Sequence, residues 1–245
     1  MSGRARRGRW ASSGAGAVAL LRRAAPAAAL VAAGCASAGL RSGPPLPDPA
    51  AVARRVAAAS APGSPTHLLF HWEYADERGP TRGDGAGRFN PPDSLRLDLF
   101  GPGDAALAVA LTGEGGLRTL GQLQDVRLPP PAYLYATAGL FRPGAARPDS
   151  GFTSDGDEVL VYDVPNGGER RYVVRRDRLV RVEDVRDGSV LRHLEISWPD
   201  GDAPWPEGAE YTDRERGSRA RWRLKGATSV DEPYPADIFD LPDRG

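Results

Sequence analysis

The sequence is poor in the residues that usually carry chemistry. It has one cysteine, one methionine and three histidines among 245 residues, and Lys225 is its single lysine. One cysteine cannot form an intrachain disulfide, so the fold must be held by its own core. Three histidines are too few to indicate a metal site, and no P-loop, G-x-S-x-G or H-E-x-x-H motif is present. We therefore expect no cofactor and no enzymatic activity.

Positive charge is also scarce once the N-terminus is set aside. The chain has 32 basic and 32 acidic residues, but six arginines precede Cys35 and the first acidic residue is Asp48. The remainder therefore carries 32 − 6 = 26 basic and 32 acidic residues, a net charge of −6. Because nucleic-acid binding depends on basic groups that neutralise phosphates, this balance indicates that nucleic acid is not a partner.

Long apolar runs are missing as well. The apolar stretch 24–34 is shorter than the ~20 residues that a membrane-spanning helix needs. It follows an arginine-rich segment and ends at Cys35, which is the layout of a secretory signal. The small residues before Cys35 resemble the lipobox of bacterial lipoproteins, which implies a signal peptide over residues 1–34 and acylation of the Cys35 thiol. The alternative is a signal cut elsewhere, which would leave Cys35 as a free thiol.

Beyond Cys35, composition predicts a linker and one domain. Residues 35–50 combine the acylated cysteine with a segment rich in Pro, Gly and Ser, which is typical of a flexible linker. Residues 51–245 have the length of a single domain. Helical spacing predicts a short helix over 51–59 and a second helix, entered through prolines, over 132–141.

Alternating apolar and polar residues predict about eight strands in the rest of the chain. Over residues 66–74 one predicted face is apolar, and over 93–100 three leucines alternate with Arg96 and Asp98. Residues 83–87 are a glycine-weakened strand, where glycine often marks a bulge or bend. The other predicted strands are 105–111, 158–164, 170–175, 179–185, 190–198 and 218–225. The tail over 233–242 is expected to dock on the domain through its apolar residues.

Two short helices cannot cover the apolar faces of about eight strands, and an uncovered sheet would expose a large apolar patch. The sheet is therefore expected to curl into a barrel or half-barrel, a mainly β (α+β) fold. Its interior is either filled by side chains or left as a cavity, and the sequence leaves both open.

The order of these segments resembles that of the LolA/LolB-like superfamily of bacterial envelope lipoproteins. The similar features are the lipobox, the meander containing PDSLRLDLFGPGDAALAV, the mid-chain helix at PPPAYLYATAGLFRP and the second set of hairpins. The resemblance covers most of residues 51–242. It implies a curved antiparallel sheet forming an unclosed half-barrel, with helices covering its mouth and an apolar cavity that binds acyl chains.

The same resemblance implies a site and a location. The lipid-binding residues would be the inward-facing Leu68, Phe70, Trp72, Leu95, Leu97 and Leu99. Phe100 would be the apolar tip of a membrane-contacting loop, because it lies out of phase with the three leucines, although Phe100 could equally be packed inside. Ala36 after the cysteine implies sorting to the outer membrane, with the domain facing the periplasm.

We therefore expect a monomeric, outer-membrane-anchored lipoprotein that binds acyl chains for lipid or lipoprotein transfer. A periplasmic carrier protein would be its partner. The alternative is an anchored structural or protein-interaction module that uses the same fold with a filled core, since apolar strand faces normally pack a core.

Overall fold

The computed structural model describes residues 40, 42–103, 105–113, 116–123, 126–144, 147–165 and 167–241. The predicted signal peptide and the lipidation site Cys35 lie outside these residues. The described chain contains two α-helices, α1 (Pro49–Ala59) and α2 (Pro131–Thr137), and a 3₁₀ helix (Ala236–Phe239). Its strands are β1 (Thr66–Asp76), β2 (Gly79–Asn90), β3 (Ser94–Phe100), β4 (Ala106–Leu111), β5 (Leu117–Gln122), β6 (Ser150–Ser154), β7 (Asp157–Asp163), β8 (Glu169–Arg175), β9 (Arg178–Arg186), β10 (Ser189–Ser197), β11 (Gly208–Asp213) and β12 (Ser218–Ser229).

All twelve strands belong to one antiparallel sheet in the order β5-β4-β3-β2-β1-β12-β11-β10-β9-β8-β7-β6. The first and last strands of the chain are neighbours at its centre, so the two halves extend outward as separate meanders. Strands β5 and β6 are the two edges and do not pair with each other. The sheet is therefore not closed, and the predicted unclosed half-barrel with a mainly β fold is confirmed.

The curvature of the sheet follows from the packing of the seven-residue helix α2. Its Leu134 and Tyr135 belong to the apolar cluster formed with β1–β4. Its Tyr133 and Ala136 belong to the cluster formed with α1 and β7–β11. Because one short helix contacts both halves of a twelve-stranded sheet, the two halves must curl toward it.

The two helices begin at Pro49 and Pro131, one or two residues before their predicted starts, and the second is shorter than predicted. In α1 the buried Val52 and Val56 face β7 and β9, and the Asp48 carboxylate caps the helix by accepting from Ala51 N at 2.8 Å. The prediction that the second helix runs to residue 141 is wrong. Helix α2 ends at Thr137 because Gly139 adopts a φ of +74°, and Leu140 N donates back to Tyr135 O at 3.1 Å.

Three strands, β5, β6 and β11, were not predicted, so the expected number of about eight strands was too low. Strand β5 is an edge whose Leu117 and Leu120 are exposed, and β6 is a five-residue edge strand with the sequence SGFTS. Strands of this kind lack the alternation on which the prediction relies. Residues 43–46 of the predicted linker cover β6, since Gly43 N donates to Thr153 O at 2.8 Å and Leu46 N to Gly151 O at 2.9 Å.

The C-terminal tail docks on the outer face of the sheet, as predicted. Asn90 and Tyr234 exchange two hydrogen bonds, from Asn90 Nδ2 to Tyr234 O at 2.8 Å and from Tyr234 N to Asn90 Oδ1 at 3.0 Å. Leu241 packs against Ala108 and Ala110 of β4. The tail thereby covers the outward side of the N-terminal meander.

Candidate functional site

All six residues predicted to line the interior lie on the same face of the sheet and belong to one apolar cluster. Every second residue of β1 from Leu68 to Tyr74 is buried, and His71 and Glu73 point to the other side. In β3, Leu95, Leu97 and Leu99 are buried in the same way. The alternation in the sequence therefore places these side chains inside the half-barrel.

The six residues divide into two groups by depth. Leu68 and Leu95 have no exposed surface and pack within the core. The other four line a narrow opening at the mouth, which we call the apolar cleft. These four are Phe70, Trp72, Leu97 and Leu99. The cleft is closed on its other side by loop 126–129 and by Leu134 and Thr137 of α2.

The volume of the apolar cleft is about 80 Å³. Small-molecule pockets usually have volumes of ~300–1,000 Å³, so the cleft is too small to hold a lipid chain as it stands. The interior of the half-barrel is therefore mostly filled by its own side chains, with a shallow apolar entrance beside α2. The sequence does not distinguish a filled from an open interior, because both require the same alternation of apolar and polar residues along the strands.

The apolar cleft contains one polar group without a partner. Trp222 of β12 lines the cleft, and its ring lies 5.4 Å from that of Phe70. Its buried indole Nε1 has no acceptor among the described residues. By contrast, Trp72 Nε1 donates to Asp84 O at 3.0 Å. Trp222 Nε1 could therefore donate to a carbonyl oxygen that enters the cleft, because a buried N–H without an acceptor is costly.

A second, larger opening lies on the opposite side of α2. It has a volume of about 940 Å³ and is formed by α1, α2 and the segments around Pro92 and Phe141. Four arginines line it, Arg54, Arg142, Arg147 and Arg170, and we call it the arginine cleft. No sequence pattern indicated this cleft, because its residues come from separate segments that only the fold brings together.

Phe100, the predicted membrane-contacting residue, ends β3 with 49% of its surface exposed. It is the large apolar side chain at the start of the β3–β4 turn, and its neighbours across the sheet are Asp84 and Ala106. The structure thus places Phe100 on the surface, as a tip residue requires, and not in the core.

The described residues contain no candidate metal cluster and no helix that could span a membrane. No group of three or more His, Cys, Asp or Glu side chains there could hold a metal ion. His67 and His71 lie on the same strand, β1, as predicted. None of the described helices is both long and apolar enough to cross a membrane.

No protein-family model and no curated protein matches the sequence. Among solved structures, an outer membrane lipoprotein-sorting protein domain from Vibrio parahaemolyticus is similar, with a TM-score of 0.50 and 12% identity over 78% of this chain and 95% of that one. The fold is LolA/LolB-like. A LolA superfamily protein from Nitrosomonas europaea matches with a TM-score of 0.47 and 11% identity over 77% of this chain and 96% of that one. At these identities the LolA/LolB-like resemblance is one of fold.

Proposed function

We propose that this protein is a lipid-anchored envelope lipoprotein that binds acyl chains and takes part in lipid or lipoprotein transfer at the outer membrane. The observation that carries the proposal is the apolar cleft at the mouth of a LolA/LolB-like half-barrel. Four of the predicted lining residues form this cleft together with residues of α2. We propose no catalytic role.

An acyl chain gains about 0.8 kcal/mol for each CH₂ group that it buries. Because the cleft has a volume of only about 80 Å³, it must widen before it can bury a chain of several CH₂ groups. Loop 126–129 is the part best suited to move. Val126 and Leu128 are half-buried, and within the described residues the loop backbone makes one hydrogen bond, from Val126 N to Leu123 O at 3.4 Å. Segments with few contacts open at low cost in free energy. Displacement of this loop would extend the cleft along Leu97 and Val109, which line it.

Anchoring through Cys35 would keep the domain near the membrane. A diacylglyceryl group with a further acyl chain provides enough buried hydrocarbon for stable attachment. The domain would act as a monomer in the periplasm and receive its ligand from the membrane or from a periplasmic carrier protein.

The test is binding of a fluorescent fatty acid to the purified protein, with native mass spectrometry of co-purified lipid. The Leu128→Asp variant places a carboxylate at the cleft. We expect it to weaken binding by about tenfold or more, because an unpaired charge is costly to bury. Leu120→Asp, on the exposed face of β5, is the matched control and should bind like the wild type. Equal affinities for the two variants would exclude the apolar cleft as the site.

The filled interior favours a second candidate, an anchored protein-interaction module. Leu68 and Leu95 are completely buried, as expected if the core serves stability alone. The edge strand β5 exposes Leu117 and Leu120, which a partner could contact. Absence of co-purified lipid together with no uptake of the fatty acid would support this candidate and contradict the first.

A further inference from the structure

The two faces of α2 border different environments. Pro131, Ala132 and Tyr135 line the arginine cleft, whereas Leu134 and Thr137 line the apolar cleft. At 3.6 residues per turn these two sets lie on opposite sides of the helix. The arginine cleft is therefore separate from the apolar cleft, and its chemistry can be considered independently.

The arginine cleft has more positive charge than the protein around it neutralises. Arg170 is paired with Asp184, with Nε and Oδ1 2.7 Å apart. Arg54 and Arg147 are exposed and make no ion pair with any described residue. Asp93 is the one acidic residue among the lining residues of the cleft. The excess of positive charge is notable because the chain from Cys35 onward has a net charge of −6.

Arg142 lines the cleft, and hydrogen bonds hold it in place. Its guanidinium donates to Pro92 O at 2.6 Å and to Phe141 O at 2.7 Å, with longer contacts to the C-terminal end of α1. Its acceptors among the described residues are neutral oxygens. Burial lowers the pKa of Arg142, and the more distant Asp93 only partly opposes this effect. A half-buried cation without a carboxylate partner can gain from an anion brought by a ligand.

The rest of the cleft is apolar or aromatic. Its other lining side chains include Ala53, Ala57, Tyr135, Phe141 and Tyr162. The volume of about 940 Å³ lies within the range of small-molecule sites. The cleft therefore offers arginines for an anion and an apolar wall for hydrocarbon.

We propose that the arginine cleft binds an anionic amphiphile, with its carboxylate or phosphate head group at Arg54, Arg142 and Arg147 and its hydrocarbon against the partly exposed Ala53 and Ala57 of α1. The site goes beyond the proposed acyl-chain function, because it selects for charge and does not use the apolar cleft. Arginine suits both head groups, since its planar donors match carboxylate and phosphate oxygens.

The experiment is isothermal titration calorimetry on the full protein carrying Leu128→Asp, so that the apolar cleft does not contribute. The probes are dodecanoate, dodecyl phosphate, dodecanol and inorganic phosphate. We expect at least one anionic amphiphile to bind at least about tenfold more tightly than dodecanol and than inorganic phosphate. Comparison of dodecanoate with dodecyl phosphate then identifies the preferred head group. Binding should weaken as salt concentration rises.

The matched variants differ only in where two charges are removed. Arg54→Gln with Arg147→Gln should weaken binding of the preferred anion by about tenfold or more. Arg82→Gln with Arg219→Gln removes the same charge from exposed positions on β2 and β12, outside the cleft, and should leave affinity unchanged. Arg142 is left intact because it holds the surrounding segments.

The outcomes separate this proposal from the proposed function. Dodecanol binding as tight as that of both anions, equal effects of the two double variants, or no binding of either anion would overturn the arginine cleft site. Phosphate binding as tight as that of dodecyl phosphate would show a site for a free anion instead. Failure of the proposed function would appear separately, as failure of the wild type to bind the uncharged dodecanol, because a fatty acid could also occupy the arginine cleft.

Discussion

Arg170 of β8 and Asp184 of β9 are directly opposite each other in the sheet and form an ion pair beneath α2. Their side chains are 18% and 7% exposed, and the Arg170 guanidinium lies 5.2 Å from the centre of the Tyr133 ring. Burial alone would lower the pKa of Arg170, but the hydrogen bond to Asp184 and its charge raise that pKa above its usual value. The pair therefore joins the C-terminal meander to α2 in a mostly desolvated setting.

Replacement of Asp184 should destabilise the protein strongly. The carboxylate also accepts from Arg192 Nη1 at 3.2 Å. Asp184→Asn therefore leaves Arg170 without its carboxylate and removes one of the three carboxylates that pair with Arg192. We expect a loss of about 3–5 kcal/mol in the free energy of unfolding, measured by urea denaturation. Asp187→Asn, in the exposed β9–β10 turn, should change it by less than about 0.5 kcal/mol. Similar losses in the two variants would contradict this role for the pair.

Gly85 makes room for the Phe70 ring. A Cβ at Gly85 would lie 2.3 Å from both Cε2 and Cζ of Phe70, so Gly85→Ala should cost about 1–3 kcal/mol of stability through overpacking. Because Phe70 lines the apolar cleft, the variant should also weaken binding of the fluorescent fatty acid. Gly226→Ala, with no atom within 4 Å of the added Cβ, is the control. A stable Gly85→Ala protein would show that Phe70 is free to move.

Glu195 should contribute to instability in acid. Its burial acts to raise its pKa, but the hydrogen bond from His193 Nε2 at 3.0 Å and the nearby charge of Arg181 hold the pKa below its ordinary value. A carboxylate with a lowered folded-state pKa stabilises the protein above its unfolded pKa, and this contribution is lost as the pH falls through the folded pKa. The free energy of unfolding of the wild type should therefore decrease more than that of Glu195→Gln between pH about 6 and about 3.

The control for acid sensitivity is Glu77→Gln, in the exposed turn after β1. Its pH profile should be parallel to that of the wild type. A Glu195→Gln profile that is also parallel to the wild type would show that the contacts with His193 and Arg181 add nothing to stability.

Phe100 should increase binding to lipid vesicles if the β3–β4 turn reaches the membrane. Phe100→Asp removes an exposed aromatic ring. We expect the chain from residue 36 onward, which lacks the predicted acyl anchor, to co-sediment less with vesicles while its stability is nearly unchanged. Leu69→Asp removes a similarly exposed side chain, 48% accessible, from the middle of β1, and should have little effect. A larger effect of Leu69→Asp would move the membrane contact to the outer face of the sheet.

The sequence predicted best those strands whose two faces differ. In β1, β3 and β12 one side packs against the core and the other meets solvent, and selection of residues for these two environments produces a readable alternation. In β12, for example, Trp222 is buried between the exposed Arg221 and Arg223. Strands β5 and β6 lie at the edges, where this contrast is weak.

The glycines of β2 show another limit. They were interpreted as a bulge or bend, but β2 pairs with β1 from Gly79 to Phe89 without a register shift. The irregularity lies instead between Leu69 and Phe70, where β1 meets β12. A glycine indicates that the position has no room for a side chain or needs an unusual backbone conformation. Which of these applies depends on tertiary contacts, such as the Phe70 ring that lies against Gly85. The arginine cleft could not be predicted for the same reason.

If the protein binds acyl chains as proposed, its filled interior limits how tightly it can hold them. An incoming chain would not enter an empty space but would displace the side chains that already fill the interior. Its binding free energy would therefore be the difference between the apolar contacts that it makes and those that the displaced side chains lose. Such an exchange keeps retention weak even for a long hydrocarbon chain. Under the proposed function, release would then need no external energy, because the protein would refill its own site as the ligand leaves.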